Sequence, residues 1–335
     1  MSDKVELRVA GLKIENFKSY SITSSLYTAG DAFNMEFAQP EVRVSGGMRC
    51  EVYVNDALEL TGIIDKDTRG GDKSGNTLRI EGRDLTGLLI DSCVEDFVDL
   101  DDISLQGLTK LLLKKVPFIN RKNIVFAKGH AAAGDDESGT PPKLEPGETI
   151  FDALRKFALA RGLLFFSYPD GTLVFGKPLS KGKAEFQLTR LKATDDTNVL
   201  KGECTNDLSK RFSKINVIGQ QDGSDPEDVN VEAVVSDPTF PFYKPLVLNM
   251  NHDGDSPARF GRMTLDRQRS EGFQLSYEVA GFSQQGKNWG INRMCNIEDD
   301  VTEVRGTYLI YGRTFEQNKE GGRTTKLHLG YPGVL

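Results

Sequence analysis

Alternation of apolar and polar residues governs the first 90 or so positions of the chain. Val5/Leu7/Val9, Phe33/Met35/Phe37, Val52/Val54 and Leu78/Ile80 recur at every second residue, the period at which successive side chains of a strand point to opposite faces. Each segment therefore turns one face to a core and the other to water. GGM at 46–48, Asn55-Asp56 and RGGDKSGN at 69–76 supply the turn residues between them. Short strands punctuated at this spacing predict a small barrel or sandwich.

The period then changes. In DDISLQGLTKLLLKKVP, Leu105, Leu108, Leu112 and Val116 recur three to four residues apart and Pro117 ends the run, which predicts a short helix. Residues 129–147 read as a loop rich in small residues, Pro and Gly. Thr149 and Asp152 precede Leu154, Phe157 and Ala158; a Thr hydroxyl can satisfy an orphan amide of the first turn, and a carboxylate suits the positive helix end. A helix over 149–161, ended by Gly162, is expected. GLLFF and SYPDGTLVFGKP follow, with two strands meeting at Pro169-Asp170-Gly171.

After Lys181 the β pattern returns in Ile215/Val217 and Leu275/Tyr277/Val279. YKPLVLN, 243–249, reads as a strand whose Pro245 assigns it to an edge. Ser256-Pro257 opens a helix to Glu271, with Gly272 at its end. Strands at TYLIYGRTF and TTKLHLG flank the polar turn EQNKEGGR, and this hairpin resembles LTGIIDKDTRGGDKSGNTLRIEG of the first region. Aligning Gly82 with Gly330, however, puts the alternation one residue out of phase.

A chain of 335 residues exceeds what one core organises and predicts two or three domains. Its 42 basic against 49 acidic residues, net charge −7, oppose a general grip on phosphate backbones. The start MSDKVELRVAGLKIENF lacks the apolar core of a secretory signal, and no run of about 20 apolar residues predicts a membrane span. Cys50, Cys93, Cys204 and Cys295 form no CxxC pair and are expected to be buried, reduced thiols of a protein made in a reducing cytosol.

Motifs for chemistry are weak. GFSQQGKN, 281–288, approaches a phosphate-binding loop, but Asn288 replaces the Ser or Thr that would hold Mg²⁺ and NWGINRMC does not read as a helix. A Gly-rich interstrand turn fits it better. DGSDPED at 222–228 and NHDGDS at 251–256 lack calcium-loop spacing and read as solvated turns. His130, His252 and His328 lie far apart, with no nucleophile motif beside them. Arg259, Arg262, Arg267 and Arg269 make one helix basic, yet Asp266 and Glu271 interleave, as on a solvated or subunit-contacting helix. No catalytic, cofactor or metal residue is assigned.

The order of the pieces carries more. LELTGIID with LRIEGRDLTGLLIDSC, then EPGETIFDALRKFALARGLLFFSYPDGTLVFGKP, NDLSKRFSKINVIGQ, YKPLVLN and the helix from Ser256, then GFSQQGKNWGIN through TYLIYGRTF and TTKLHLGYP, resemble the baseplate hub protein of Mu-like contractile-tailed bacteriophages. More distantly they resemble the late control D proteins and the hub part of the type VI secretion spike. The matching motif positions are Gly82, Arg83, Asp84, Thr86, Gly87 and Asp91, Gly171, then Gly281, Gly286, Trp289, Asn292 and Tyr308.

The resemblance implies an α+β, mainly β fold: two tube-like β-barrel domains with an inserted helix-hairpin α/β module. The corresponding expectation is a first barrel over 1–95, a middle module over 96–180, and a second barrel over 181–335 with an insertion at about 222–272. It also implies a non-enzymatic virion protein that assembles as a homotrimer in the host cytoplasm. Three chains would present six tiles around a DNA path, joining tail tube protein to central spike protein and touching other baseplate proteins. Two rival readings are a carbohydrate or cell-wall binding module using Phe165, Phe166 and Tyr168, and a nucleotide-dependent enzyme built on GFSQQGKN.

Overall fold

The computed structural model of the chain describes residues 3–38, 43–73, 75–95, 103–127, 144–194, 196–220, 230–250, 257–318 and 322–335. His130, His252, the acidic stretches 222–228 and 251–256, and all but the end of the 129–147 loop lie outside the described residues.

The alternating segments form seven strands: β1 (Val5–Val9), β2 (Leu12–Ile14), β3 (Phe17–Ser25), β4 (Ala32–Ala38), β5 (Arg49–Val54), β6 (Ala57–Asp72) and β7 (Gly75–Asp84). Their apolar faces converge on one core that holds each of the alternating residues named above. Two tight turns set the register. Ala10 and Gly11 link β1 to β2, Asn55 and Asp56 link β5 to β6, and all four have positive φ, as two-residue hairpins with matching twist require. The stretch 69–76 is mostly strand, because Gly70 and Gly71 stay in the ladder opposite Thr77 and Asn76 and present no side chain that resists extension.

The middle region contains α1 (Gly87–Asp91), α2 (Leu105–Leu112), β8 (Val125–Phe126), α3 (Ile150–Ala160), β9 (Leu164–Ser167) and β10 (Leu173–Gly176). Ser104 caps α2 by accepting from the Gly107 amide, and Thr149 caps α3 by accepting from the Asp152 amide at 3.0 Å. After α2 a 3-10 turn rotates the chain, so Leu113 rather than Leu112 is fully buried. Phe165 packs between Phe151 and Phe175, with ring centroids 5.1 and 4.5 Å away. It belongs to the module's own core, which removes one of the three aromatics a glycan groove needed.

Beyond the module come β11 (Phe186–Leu191), β12 (Asp196–Thr197), β13 (Val199–Asn206), β14 (Lys214–Gln220), β15 (Asn230–Ser236), β16 (Pro245–Met250), α4 (Pro257–Glu271), β17 (Phe273–Ala280), β18 (Ser283–Gln284), β19 (Lys287–Asn288), β20 (Arg293–Asp299), β21 (Val304–Asn318) and β22 (Gly322–Gly330). Strands β14 to β16 form a separate sheet with β16 at its edge, where Pro245 costs no ladder bond. Helix α4 covers this sheet through Leu265 and through Gly261, whose missing side chain lets Val217 and Val235 approach.

Two seven-strand arcs have the same neighbour order. The first runs β3-β4-β7-β6-β5-β1-β2 and the second β13-β17-β22-β21-β20-β11-β12. Their irregularities coincide as well. Strands β3 and β13 each bulge near the start, at 17–19 and 199–201, and β6 and β21 each bulge midway, at 64–66 and 310–312. Phe33 faces Gly82 as Leu275 faces Leu329, so the counterpart of Gly82 is Leu329, not Gly330, and the phase disagreement disappears. Cys50 opposite Gly62 likewise matches Cys295 opposite Tyr308. One pairing departs: β1 runs antiparallel to β5, whereas β11 runs parallel to β20.

The two β regions expected as tube-like barrel domains are hydrogen-bonded to one another. Strand β3 pairs with β21, joining both arcs into one 14-stranded sheet, and neither arc's ladder closes on itself among the described residues. The cause is the length of β21: its first half pairs with β20, and its second half offers the same edge to β3. The cysteine expectation needs correction. Cys50 and Cys295 are buried, Cys204 is intermediate, but Cys93 is exposed.

Candidate functional site

The motif positions gather at two junctions rather than around a pocket. At the first, β7 delivers Gly82, Arg83 and Asp84 to the start of α1. The Arg83 guanidinium forks to Asp65 at 2.7 and 3.0 Å and to Asp91 at 3.1 and 2.5 Å, and this contact holds the Asp91 carboxyl below its usual range. A side chain at Gly82 would collide with Phe33 and the Ile63 carbonyl, and one at Gly87 would press on Arg83. Gly171 has φ +81°, and a Cβ there would strike Leu85. The hairpin of the middle module therefore seats directly on the first arc.

Asp84 is buried beneath this contact. Its carboxylate accepts from the Thr86 amide and hydroxyl at 3.1 and 2.6 Å and from the Ser167 hydroxyl of β9 at 2.5 Å. Asp31 accepts from the Ser25 amide at 2.8 Å, and its carbonyl accepts from the Asp84 amide. Burial, and then the neighbouring Asp84 charge, push Asp31 up to about 7. Burial also raises Asp84. Two acids thus share the seam where arc and module meet.

The second junction joins the arcs. GFSQQGKN is the β18–β19 hairpin, with Gln285 and Gly286 at φ 51° and 79°, and not a phosphate loop. Asn288 donates to the Val54 carbonyl at 2.8 Å and to Glu59 at 2.7 Å, while Asn55 donates to Asn288 and to Asp3 at 3.0 Å each. Gly281, at φ +73°, leaves room for the Asp3 carboxylate, which accepts from the Phe282 amide. Trp289 is buried against Phe186, centroids 4.6 Å apart. Asn292, at φ 53°, accepts from the Leu179 amide and tethers the segment leaving the module. Tyr308 stacks on Phe273 and stands apart from these contacts.

Arg313 is the residue that sequence patterning missed. It is 2% exposed, yet it donates to Glu59 at 2.6 Å, the Trp289 carbonyl at 2.9 Å and the Ser24 hydroxyl at 2.9 Å, and it lies over the Phe315 ring. One side chain thereby ties β21 to β6, β3 and the Trp289 segment. An Arg at an apolar phase of a strand was the available signal. Within the second arc, Asp299 is similarly buried. Burial opposes its charge, but Arg190, Thr302 and Tyr277 outweigh that and hold its carboxyl well below the usual range.

The basic helix is locally neutralised: Arg267 pairs with Glu271 at 2.9 Å and Arg269 lies 3.6 Å from Asp237. Arg259 reaches across to the Ala160 carbonyl at the end of α3. His328 faces Tyr311 on the sheet. Among the described residues no group of three or more His, Cys, Asp or Glu is arranged to hold a metal ion, and no helix is long and apolar enough to cross a membrane.

Comparison with known proteins agrees with this architecture. Residues 4–84 match the family model described as Mu phage baseplate assembly protein GpP-like, N-terminal. The chain is 23% identical over 346 residues to the baseplate hub protein gp44 of Escherichia phage Mu, covering 98% of this chain and 88% of that one. The tail protein from Neisseria meningitidis MC58 is 27% identical with a TM-score of 0.84, over 98% and 97% of the two chains. The 43 kDa tail protein of prophage MuSo2 from Shewanella oneidensis shares the fold at 22% identity and a TM-score of 0.81, over 98% of each chain. From its first arc to its last strand, the chain is similar to baseplate hub and tail proteins of Mu-like phages.

Proposed function

We propose that the protein is the trimeric hub of a contractile-tail baseplate, a rigid adaptor between the sixfold tail tube and the threefold central spike. The observation that carries this reading is the duplication: one chain holds two arcs with the same strand order and the same bulges. Three such chains supply six near-equal tiles, which lets a threefold object match a sixfold one. Each arc serves as a tube-like barrel tile, over 1–95 and 181–335. The module at 96–180 and the insertion at about 222–272 then give the ring surfaces of another kind, toward the spike and other baseplate proteins.

The ring surrounds the DNA path, and DNA passes as cargo; a net charge of −7 suits a wall that does not retain it. Assembly takes place in the bacterial cytoplasm before the virion tail is complete. The role is mechanical, with the energy for infection coming from the sheath, so no catalyst is required of this chain. Negative-stain imaging of the purified protein with its phage's tail tube protein tests the reading. Annular particles seated on tube ends are expected, and free compact particles that never cap a tube would overturn it.

A further inference from the structure

At one end of each arc the matched ladders put different chemistry on the same three positions. By the shared bulges, Gly62, Asp84 and Asp31 of the first arc correspond to Tyr308, Tyr331 and Phe273 of the second. In the second arc the rings close on one another, Phe273 lying 4.8 Å from Tyr331 and 5.8 Å from Tyr308, and Arg269 of α4 lies over Tyr331. In the first arc a glycine and two acids stand there instead, and the hairpin of the middle module covers them.

The cover is polar where it meets the acids. Ser167 of β9 donates its hydroxyl to Asp84 at 2.5 Å, and Gly171 at the hairpin tip lies against Leu85 and Thr61. Asp84 is 6% exposed and also holds the Thr86 amide and hydroxyl. Thr86 in turn accepts from the Gly30 amide at 3.1 Å, which ties the loop bearing Asp31 to the same cluster. The Asp31 carbonyl accepts from the Asp84 amide at 2.8 Å, so the two acids are neighbours across the ladder. Carboxyl groups brought together away from water do not both ionise readily, and one of the pair keeps its proton toward neutral pH.

The charges around the pair do not relieve it. Arg313 of β21 acts on Asp31, but its guanidinium is already engaged by Glu59, the Trp289 carbonyl and Ser24. Arg83, next to Asp84 in the chain, turns to Asp65 and Asp91. On the module side, Asp170 at the tip accepts from the Thr172 amide, adding a negative charge to the hairpin rather than a positive one.

We propose that Asp31 and Asp84 form a proton-operated latch: one proton on the pair seats the module hairpin on the first arc, and its loss opens the contact at 167–172. With both carboxylates charged, separation of the hairpin admits water to them and relieves their repulsion. A proton that binds one conformation better than the other shifts the balance between them. Phe165 and Phe175 keep the rest of the hairpin in the module core, so the opening is confined to its outer end. The second arc, with rings in place of the acids, does not respond. The latch lies within one chain and stands independently of the trimeric reading.

Hydrogen exchange of the full chain, read on the peptide spanning 164–176 and corrected for the intrinsic pH dependence of exchange, tests the latch. For a proton released at about 7, protection of this peptide should fall about tenfold between about pH 6 and about pH 8, with the peptide spanning 273–280 unchanged. Asp31→Asn, neutral throughout, should keep the hairpin protected at both. Infrared difference spectra over the same interval give a second measurement: the band of a protonated carboxylic acid should vanish as pH rises in the parent and be missing from Asp31→Asn. Protection that ignores pH, or that falls equally in Asp31→Asn or in both peptides, would overturn the latch. A parent without the band at about pH 6, or a variant that retains it, would overturn it as well, and the parent's spectrum and peptides decide even where the variant does not fold.

Discussion

The distal halves of β6 and β21 occupy the same place in two matched arcs, yet one is largely exposed and the other is core. Phe315 of β21 is fully buried against Phe282, and its counterpart Arg69 is exposed and hydrogen-bonded to the Val44 carbonyl. The difference comes from the neighbour: β3 pairs with one half-strand, whereas the other has no second strand partner among the described residues. A duplicated fold can therefore carry the same backbone twice while its side chains diverge according to what each copy must touch.

The largest effect that sharpens this contrast is expected at the aromatic. Phe315→Ala should cost about 3–5 kcal/mol in chemical denaturation, whereas Arg69→Ala should stay within about 0.5 kcal/mol of the parent when the chains are dilute. Equal losses would break the comparison. Arg313→Ala should follow closely, at about 3 kcal/mol, since it leaves the partly buried Glu59 at the arc junction with Asn288 as a donor but without its cation.

A second pair of residues separates the arcs by pH. Asp31, raised to about 7 by burial, binds its proton more tightly in the folded chain. Its contribution is favourable below the unfolded carboxylate range and is lost as pH rises through about 7. Asp299, held low chiefly by Arg190 against the cost of burial, behaves oppositely and loses its contribution as pH falls below the unfolded range. Asp31→Asn should therefore raise the melting temperature more at pH 8 than at pH 5. Asp299→Asn should lower it most at neutral pH, with the deficit shrinking in acid. The smallest effect belongs to Arg83→Ala. Its ion pairs to Asp65 and Asp91 are partly solvated, so about 1 kcal/mol is expected.

Much of the fold was legible because burial imposes period two on strands and a three-to-four repeat on helices. The residues at Val5, Phe33, Val52 and Leu78 all reached the core they pointed to, and the caps at Thr149 and Gly162 bound α3 as read. Strand partners were not legible. Alternation tells which face of β21 is buried, but not that its edge is shared by β20 and β3, so the pattern did not show that one sheet runs through both arcs. The duplication was half visible: the hairpin likeness was seen, but glycine was matched to glycine, whereas the ladders match Gly82 to Leu329. The matching positions of Cys50 and Cys295 were a cleaner signal. Arg313 was missed because a strand pattern does not distinguish a buried, ion-paired cation from a surface one.

Light scattering on the purified full chain tests the hub account most directly. The account predicts a single species of about three times the 37.0 kDa chain mass, stable on dilution into the nanomolar range. A species of one chain mass, or a pair related by a twofold axis, would contradict it.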